Sequence, residues 1–467
     1  MTDGLASQAP STEATIPPGH PDHGHHAERP LTRGAVLAQT WPIMLGQASV
    51  PLVGIVDTAI IGRTGDAAAL AGVALGSAII NLVFWTFGFL RMGMSGLVAQ
   101  ARGAADVRES DALLIRGVTI GGVIGLALLA LAGPIMGLAF FALPPGGGVA
   151  APAHAFVAAR FLGAPAALAG FAINGWLVGC RRTRLALVLQ LVMNAVNVAL
   201  DTLLVWHFGL GAQGAGLGTA AAEWTALVLG LALALGPGGA RPLALFSKAG
   251  FRVLVARDRL VRLFAVNRDL MIRTIALLVL FTWFANAGAR LGAITLAANH
   301  VLMQFIELAA YVLDAFAMTA EERVGHALGA KSRASFDRAT RLSGEFALGG
   351  GALLAVLFLV GGRWGIATIA TDPGVRQTAL ALLPMAALAP LIGAPSWLLD
   401  GVFIGATQGR ALRNAAVVST AAYLACDLAF RPFGDTGIWA ALLLSYVFRA
   451  ATLGLALPAL RLGVGKE

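Results

Sequence analysis

Two carboxylates interrupt long apolar runs in the first half of the chain. Asp57 stands in the stretch PLVGIVDTAIIG, residues 51–62, and Asp201 ends the stretch NAVNVALD, residues 194–201. A charged side chain in a hydrocarbon layer costs at least about 2.5–3.5 kcal/mol, so such a group has to be protonated, paired or turned towards a cavity. Burial favours the protonated carboxyl group, whereas the ionised form is a hard oxygen ligand for a cation such as Na⁺. These two acids could therefore load and release a proton or a sodium ion.

Two further polar side chains accompany these acids. Asn197 stands one helical turn before Asp201, so the two side chains share a face of a helix. Thr219 enters the next apolar run from the outside and reaches a comparable depth. Two acids without an obvious Lys or Arg partner would stabilise the packing of helices poorly. We therefore favour an ion-binding role over a structural hydrogen-bonded pair. Thr219 has the alternative of bonding the backbone of its own helix.

A second set of charged side chains lies mainly in the later part of the chain. Glu307, Asp314 and Glu321 are spaced by seven residues, so they drift by only about 20° per step and form one acidic stripe on a helix face. Arg91 and Arg449 stand inside apolar runs, where each either neutralises an acid or meets an anionic substrate. Six residues are predicted to line a substrate cavity: the three acids of the stripe, one of the two arginines, an adaptable methionine and one more acid. These are Asp314, Glu307, Glu321, Arg91, Met92 and Asp400.

The elements that must hold these groups are membrane-spanning helices. Hydrophobic residues make up 58% of the chain and charged residues 12%, a composition that does not describe a soluble globular protein. Apolar runs of about twenty residues, each long enough to cross a hydrocarbon layer of about 30 Å, recur along the chain. Twelve spans are predicted, at 36–61, 72–100, 111–140, 154–180, 184–207, 215–236, 268–289, 296–323, 338–362, 378–406, 411–430 and 436–460. The sequence therefore predicts an all-α, polytopic membrane protein.

The positive charges indicate how the chain crosses the membrane. The formal net charge is +9, and arginine and lysine residues concentrate in every second loop. This positive-inside bias predicts that both termini are cytoplasmic. Because no basic helix face with interleaved aromatic residues occurs outside the spans, no nucleic-acid partner is expected. Residues 1–33 are predicted to be a disordered cytoplasmic tail, whose four histidines at 20–26 are either incidental or a transition-metal site.

An internal repeat divides the twelve spans into two halves. One constant shift along the chain, which we call the repeat offset, carries LVAQARGA at 97–104 onto RVGHALGA at 323–330 and Asp201 onto Asp427. Six spans per copy is an even number, so both copies enter the membrane in the same orientation and form parallel lobes related by a pseudo-two-fold axis along the membrane normal. Trp283 stands where the first copy has Asp57, so ion coupling is predicted in the first lobe. The predicted domains are the tail 1–33, an N-lobe 34–240, a cytoplasmic linker 241–264 and a C-lobe 265–462.

Three stretches resemble the multidrug and toxic compound extrusion (MATE) family, in particular its DinF-like branch. They are WPIMLGQASVPLVGIVDTAIIG, FLRMGMSGLVAQARGA and YVLDAFAMTAEERVGHALGA, and the resemblance covers essentially the whole chain after residue 35. It implies a twelve-helix, two-lobe antiporter that expels organic cations or other amphipathic compounds, driven by inward proton or sodium flow. It also implies a cavity-lining role for Asp314 and Glu321.

The resemblance further implies a cation-binding cluster. In similar MATE proteins an Asp in span one, an Asn and an Asp four residues apart in span five and a Thr in span six form this cluster. The matching positions, which would also hold Na⁺ if sodium is the coupling ion, are Asp57, Asn197, Asp201 and Thr219. Asn174 matches a further Asn that hydrogen-bonds in the cluster, although its depth along span four places it nearer the cytoplasm.

The function expected from these features is secondary antiport by alternating access, with Pro51 supplying a bend in the first span. One alternative is a flippase for lipids or polyisoprenoid-linked compounds, which would need a strongly cationic cleft, whereas acids outnumber bases in the predicted spans. A membrane-embedded enzyme is disfavoured, because the chain has no G-x-S-x-G motif and no metal-spaced histidines in its spans. We expect a monomer in the plasma (cell inner) membrane, in contact with lipid and a small-molecule substrate, with no cofactor beyond the coupling H⁺ or Na⁺.

Overall fold

The computed structural model describes residues 31–144, 146–237, 240–241, 254 and 256–465, and Leu31–Glu467 forms one compact unit. Regular structure in the described residues is helical throughout, as the apolar runs predict. The predicted tail lies outside the described residues except for its last three, and its histidine cluster lies outside them too. The first helix begins at Arg33, where the side-chain oxygen of Thr32 accepts a hydrogen bond from the N–H of Ala35.

The described part of the first half contains nine helices. They are α1 (Arg33–Gly62), α2 (Ala67–Thr86), α3 (Phe89–Gly103), α4 (Val107–Ala130), α5 (Ala132–Ala142), α6 (Ala150–Phe161), α7 (Ala164–Gly179), α8 (Thr183–Thr202), which continues as a π-helical turn at Leu203–His207, and α9 (Gly211–Leu235).

The described part of the second half contains six helices, most of them longer. They are α10 (Arg257–Leu291), α11 (Ala293–Gly329), α12 (Arg333–Ile369), α13 (Pro373–Gly405), α14 (Gly409–Phe430), followed by a 3₁₀ turn at Arg431–Phe433, and α15 (Gly434–Gly463). The predicted linker at 241–264 falls mostly outside the described residues, and its part from 257 onwards is the beginning of α10.

The membrane crossings of the described chain agree in number with the predicted spans. Ten helical segments of the described chain are long and apolar enough to cross a membrane, and the bent pair α6 and α7 makes eleven. One of the ten, Gly409–Gly463, contains both α14 and α15, which pack against each other. Counting these two helices separately gives the twelve predicted crossings. The protein is therefore a multi-pass, all-α membrane protein.

Some first-half spans are broken, although each reads as a single apolar run in the sequence. The predicted span 154–180 consists of α6 and α7, which meet at an angle of 52°. Gly163 lies in this bend, and a Cβ added to it would stand 2.0 Å from Oε2 of Glu223. The predicted span 72–100 likewise consists of α2 and α3. Their second-half counterparts, α13 and α11, are continuous, so the two copies differ in their local straightness.

The internal repeat is confirmed by the positions of helix ends and turns. The repeat offset carries the first residues of α2, α4 and α8 onto those of α11, α12 and α14, and the last residues of α3 and α7 onto those of α11 and α13. The same offset relates two pairs of non-glycine residues with positive φ, a rare backbone conformation. These pairs are Ala105 (φ 55°) with Lys331 (φ 53°), and Arg181 (φ 61°) with Thr407 (φ 53°). The domain boundaries themselves stay a prediction.

The two halves meet closely at one end of the molecule, the end at which α1 begins, which we call the basal face. α3 packs against α11 there through glycines. A Cβ added to Gly103 would stand 2.1 Å from the carbonyl oxygen of His326, and one added to Gly329 would stand 2.0 Å from that of Gln100. Only glycine permits these helices to approach so closely, so the basal contact is built into the sequence.

Candidate functional site

The structure brings together four of the residues predicted to bind the coupling ion. Asp57 lies on α1, Asn197 and Asp201 on α8, and Thr219 on α9. Nδ2 of Asn197 donates a hydrogen bond to Oγ1 of Thr219 at 3.1 Å, and the carboxyl group of Asp57 lies next to that of Asp201. Asn197 and Asp201 are fully buried. These four side chains are called the ion-site cluster below, and their role in coupling stays a prediction.

The ion-site cluster is rich in oxygen atoms that lack hydrogen bonds. Oδ1 of Asp57, Oδ1 of Asn197 and both carboxyl oxygens of Asp201 are buried and accept none from the described residues. Two ionised carboxylates cannot hydrogen-bond to each other, whereas a proton on either one would join them. Carboxylate and amide oxygens are also the ligand types that hard cations take. The arrangement can therefore hold either a shared proton or a small cation.

Gly218 is a site residue that the sequence reasoning missed. It precedes Thr219 on α9, and a Cβ at this position would stand 2.0 Å from Oδ1 of Asp201 and 3.0 Å from its backbone nitrogen. The close packing of α8 on α9 therefore requires glycine beside the buried carboxyl group. The corresponding residue in the second half is Leu444, so the requirement belongs to the first lobe alone.

The two acids have a basic neighbour that the sequence analysis did not identify. Arg160 of α6 lies within electrostatic reach of both Asp57 and Asp201. Its Nη2 pairs with Oε1 of Glu223 on α9 at 2.9 Å, and both side chains are about 90% buried. Arg160 also stacks over the ring of Phe84, 5.5 Å from its centroid. A charged residue in each of two predicted spans was the available signal, but the sequence alone did not show that they meet.

Asn174 lies apart from the ion-site cluster, as its depth along the span suggested. It lines a cavity of about 40 Å³ together with Gln47 and Gln190. Gln190 precedes Asn197 by two helical turns on α8, a separation of about 10 Å along the axis. Gln190 donates a hydrogen bond to Asn194 at 2.9 Å. Asn174 therefore belongs to a polar group nearer the basal face.

In the second lobe, the acid that corresponds to Asp201 of the ion-site cluster is neutralised by side chains of the same lobe. The repeat offset carries the four cluster residues onto Trp283, Tyr423, Asp427 and Ser445. Oδ2 of the buried Asp427 accepts hydrogen bonds from Nη2 of Arg290 at 2.8 Å and from Nε1 of Trp283 at 2.9 Å. A guanidinium group and an indole thus occupy the place of the second acid and its cation. This pairing agrees with the prediction that coupling belongs to the first lobe.

Charged groups from both halves converge in a second place, which we call the cleft cluster. Its members are Arg91 on α3, Arg273 on α10, Asp314 and Glu321 on α11, Asp400 on α13 and Arg449 on α15. Nη2 of Arg273 pairs with Asp400 at 2.5 Å, and Nη2 of Arg449 lies 3.8 Å from the same carboxylate. Nη1 of Arg273 also lies 4.0 Å from the sulfur atom of Met92. Five of the six predicted cavity residues therefore meet here.

Arg273 was not among the predicted cavity residues, and it changes the charge balance. The cleft cluster contains three arginines and three acids, so the expected excess of acids does not hold for this region. The repeat supplied a signal, because the repeat offset carries Gln47 onto Arg273 and Asn174 onto Asp400. Gln47 and Asn174 line the small cavity of the first lobe. An amide pair in one lobe thus corresponds to an ion pair in the other.

The acidic stripe on α11 shows where the space between the halves is open. Glu321 is 1% exposed, Asp314 is partly buried and Glu307 is exposed, so exposure increases away from the basal face. Glu307 does not join the cleft cluster. A cavity of about 410 Å³ lies between Leu82 of α2 and the α10 residues around Trp283, towards the same end. The cleft therefore opens at the face opposite the basal face.

The basal face is closed by buried polar contacts between the halves. Glu322 on α11 is completely buried and accepts hydrogen bonds from Nε of Arg181 at 2.6 Å and from Nε2 of Gln39 at 2.7 Å. The hydroxyl groups of Thr40 on α1 and Thr319 on α11 lie 2.8 Å apart. These contacts must separate if a path is to open on this side.

Comparisons with known proteins agree with this architecture. The MatE family model matches residues 42–203 and 270–426, one segment in each half of the repeat. DNA damage-inducible protein F of Escherichia coli K12 is 34% identical over 417 residues, covering 88% of this chain and 89% of that protein. The probable multidrug resistance protein NorM of Aromatoleum aromaticum is 29% identical over 358 residues, covering 75% of each chain.

Solved structures share the fold at lower sequence identity. The Vibrio cholerae MATE transporter VcmN in the bent form has a TM-score of 0.80 at 19% identity, over 92% of this chain and 97% of that one. A MATE protein in the bent conformation has a TM-score of 0.83 at 14% identity, over 92% and 96% of the two chains. With the family model covering most of both repeats and the Escherichia coli relative matching nearly the whole chain, this protein belongs to the MatE family of membrane transporters, which are not enzymes.

Proposed function

We propose that the protein is a multidrug efflux transporter that exports cationic or amphipathic organic compounds in exchange for protons or sodium ions. The observation that carries this proposal is the group of buried, unsatisfied oxygens in the ion-site cluster. Such oxygens are costly to leave without a partner, so an ion that binds them gains free energy. Two relatives are named as multidrug resistance proteins, the probable NorM of Aromatoleum aromaticum and PmpM of Pseudomonas aeruginosa. Their names support the proposal that this protein exports varied compounds.

Each residue of the ion-site cluster has a distinct part in the proposed exchange. Asp57 and Asp201 take up the proton or sodium ion, and the amide oxygen of Asn197 is available as a further ligand. Thr219 holds the amide in place, since it accepts the Nδ2 hydrogen bond while its own hydroxyl donates to the carbonyl of Ala215 at 2.9 Å. Arg160 lies within electrostatic reach of both acids, and its positive charge partly offsets their mutual repulsion.

The helix α1 connects ion binding to the cleft. It carries Asp57, contacts α8 of its own half and reaches α11 of the other half through Thr40. Pro51 stands inside α1, between Thr40 and Asp57, and a proline removes a backbone hydrogen bond where a helix can bend. Neutralising Asp57 and Asp201 removes their mutual repulsion, so α1 can adopt a different bend, and we propose that this change lowers the affinity for the exported compound.

The closed basal face and the open opposite face support alternating access. With both termini in the cytoplasm of the cell, as the distribution of arginine and lysine predicts, the basal face is cytoplasmic and this conformation is open to the outside. Ion and compound then favour different conformations, which is what couples their movements. We propose that a single chain, surrounded by lipid in the cell inner membrane, carries out the whole cycle.

The proposal is tested with purified protein in liposomes. Efflux of a fluorescent cationic dye is measured under a proton gradient alone and under a sodium gradient alone. We expect one gradient to drive efflux in the wild type and Asp57→Asn to abolish the driven component. Asp258→Asn, which changes an exposed acid in the first turn of α10, is the matched control and should leave efflux intact. Gradient-driven efflux that persists in Asp57→Asn contradicts the coupling assignment.

A further inference from the structure

The guanidinium groups of the cleft cluster are poorly satisfied by the protein. Arg91 forms no hydrogen bond or ion pair with any described residue, and its Nη1 is buried without a partner. Nε of Arg273 and Nε of Arg449 are likewise buried without one. Arg449 is only 7% exposed, so its charge is well removed from water. Buried cationic donors without acceptors are unusual, and each one favours the arrival of an oxyanion.

Two of the three acids of the cleft cluster, Asp314 and Glu321, are equally short of partners. Oε1 of Glu321 is buried and unpaired, and Asp314 forms no hydrogen bond or ion pair with the described residues. Arg91 lies within electrostatic range of both acids, yet no ion pair joins it to either. Arg91 belongs to the first half and both acids belong to α11 of the second half. Opposite charges therefore face each other across the interface between the lobes without closing into salt bridges.

The unpaired groups on the two sides of this gap favour one class of ligand. A ligand with only a cationic or only an anionic group would satisfy the groups on one side and leave those on the other without partners, and buried polar groups are costly to leave unpaired. A zwitterion offers an acceptor to the arginines and a donor to the acids. Asp314 is partly accessible, so the ligand can reach it from the open side of the cleft.

We propose that the cleft cluster is a binding site for amphipathic zwitterions, with Arg91 binding their carboxylate and Asp314 and Glu321 binding their ammonium or iminium group. Asp400 is not available to the ligand, because it already pairs with Arg273 and lies close to Arg449. A ligand held in this way touches both lobes, so movement of the lobes would break one of its two contacts. The proposal rests on the proposed function, since it names the class of compound that the transporter exports.

A matched pair of dyes tests this assignment without any ion gradient. Rhodamine 110 carries a free carboxylate beside its cationic ring system, and rhodamine 123 is its methyl ester and hence a cation. Binding of each dye to the purified full-length protein in detergent is measured by fluorescence polarisation. A hydrogen bond between charged groups predicts about tenfold or greater preference for the free acid in the wild type. Arg91→Gln should remove that preference by weakening the binding of rhodamine 110 alone, and Arg91→Lys should restore part of it.

The controls separate recognition of the carboxylate from general damage. Arg363→Gln changes an exposed arginine on α12, outside the cleft cluster, and should leave the preference for rhodamine 110 unchanged. Asp314→Asn should weaken the binding of both dyes, because both carry the cationic ring system. Equal affinity of the wild type for the two dyes overturns the proposal, and so does an Arg91→Gln variant that weakens both equally. Neither result depends on ion-driven efflux, so a failure here is distinct from a failure of the coupling assignment.

Discussion

The buried contact between Glu322 and Arg181 should control how often the basal face opens. Replacing Glu322 by Gln keeps a side chain that can bond to Gln39 but removes the charge that Arg181 meets at 2.6 Å. Glu322 is completely buried and the side chain of Arg181 is 31% exposed, so the loss is smaller than the roughly 3–5 kcal/mol of a fully buried pair. A hydrogen bond to a charged group is worth about 2 kcal/mol. We therefore expect the open fraction of the basal face to rise about 30-fold in Glu322→Gln.

Alkylation of a single cysteine measures this opening. Thr319 is fully buried in the closed basal face, so a cysteine at this position reacts with N-ethylmaleimide only when the face opens. The native cysteines are first replaced, as Cys180→Ser and Cys426→Ala. In this background, Glu322→Gln should raise the labelling rate of Thr319→Cys about 30-fold, in proportion to the open fraction.

A second variant distinguishes opening of the basal face from a general loosening of the protein. Glu345→Gln disrupts an ion pair with Arg33 on the same face, where both partners are substantially exposed. Exposed pairs contribute little, so its labelling rate should stay within about twofold of the parent. An unchanged or slower rate in Glu322→Gln would refute the reasoning, because the buried contact would then not hold the face closed. Equal acceleration by both variants would also refute it.

Two further substitutions test the packing around the ion-site cluster. Gly218→Ala places a Cβ against the carboxyl group of Asp201 and should reduce ion-driven efflux, whereas Gly122→Ala, which has no neighbouring atom within 4 Å, should not; equal efflux in the two variants would contradict this. Arg160→Gln leaves Glu223 buried without its partner and should cost about 3 kcal/mol of stability, seen as a lower melting temperature. Adding Glu223→Gln should recover part of that loss, and a double variant less stable than the single one would contradict the ion-pair assignment.

Hydropathy predicted the twelve crossings because each one buries an uninterrupted apolar run, but it could not locate helix ends. α10 begins at Arg257 rather than near 268, since its first turns are polar and do not register as part of a span. Hydropathy also read α6 and α7 as one helix. At the bend, Gly163 approaches Glu223 closely, a contact between distant parts of the chain that hydropathy does not detect.

The ion-site cluster was predictable to the extent that helix periodicity and depth determine neighbours. Asn197 and Asp201 share a helix face whatever surrounds them, and Asp57 and Thr219 stand at matching depths. The meeting of Arg160 with Glu223 depends instead on which faces of α6 and α9 turn towards each other, which depth does not decide. In the same way, the spacing of Glu307, Asp314 and Glu321 predicted a shared stripe, but not that the cleft opens at one end of it.

The central claim is that binding of the exported compound in the cleft and binding of the ion at the ion-site cluster exclude each other. The direct measurement is the ion released when a transported dye is added to purified protein in weakly buffered solution, followed with a pH indicator for protons and with radioactive sodium for Na⁺. Linkage requires the wild type to release the coupling ion on binding the dye. Asp57→Asn, tested after fluorescence polarisation has shown that it binds the dye, should release none. A wild type that binds the dye without releasing either ion would contradict the account.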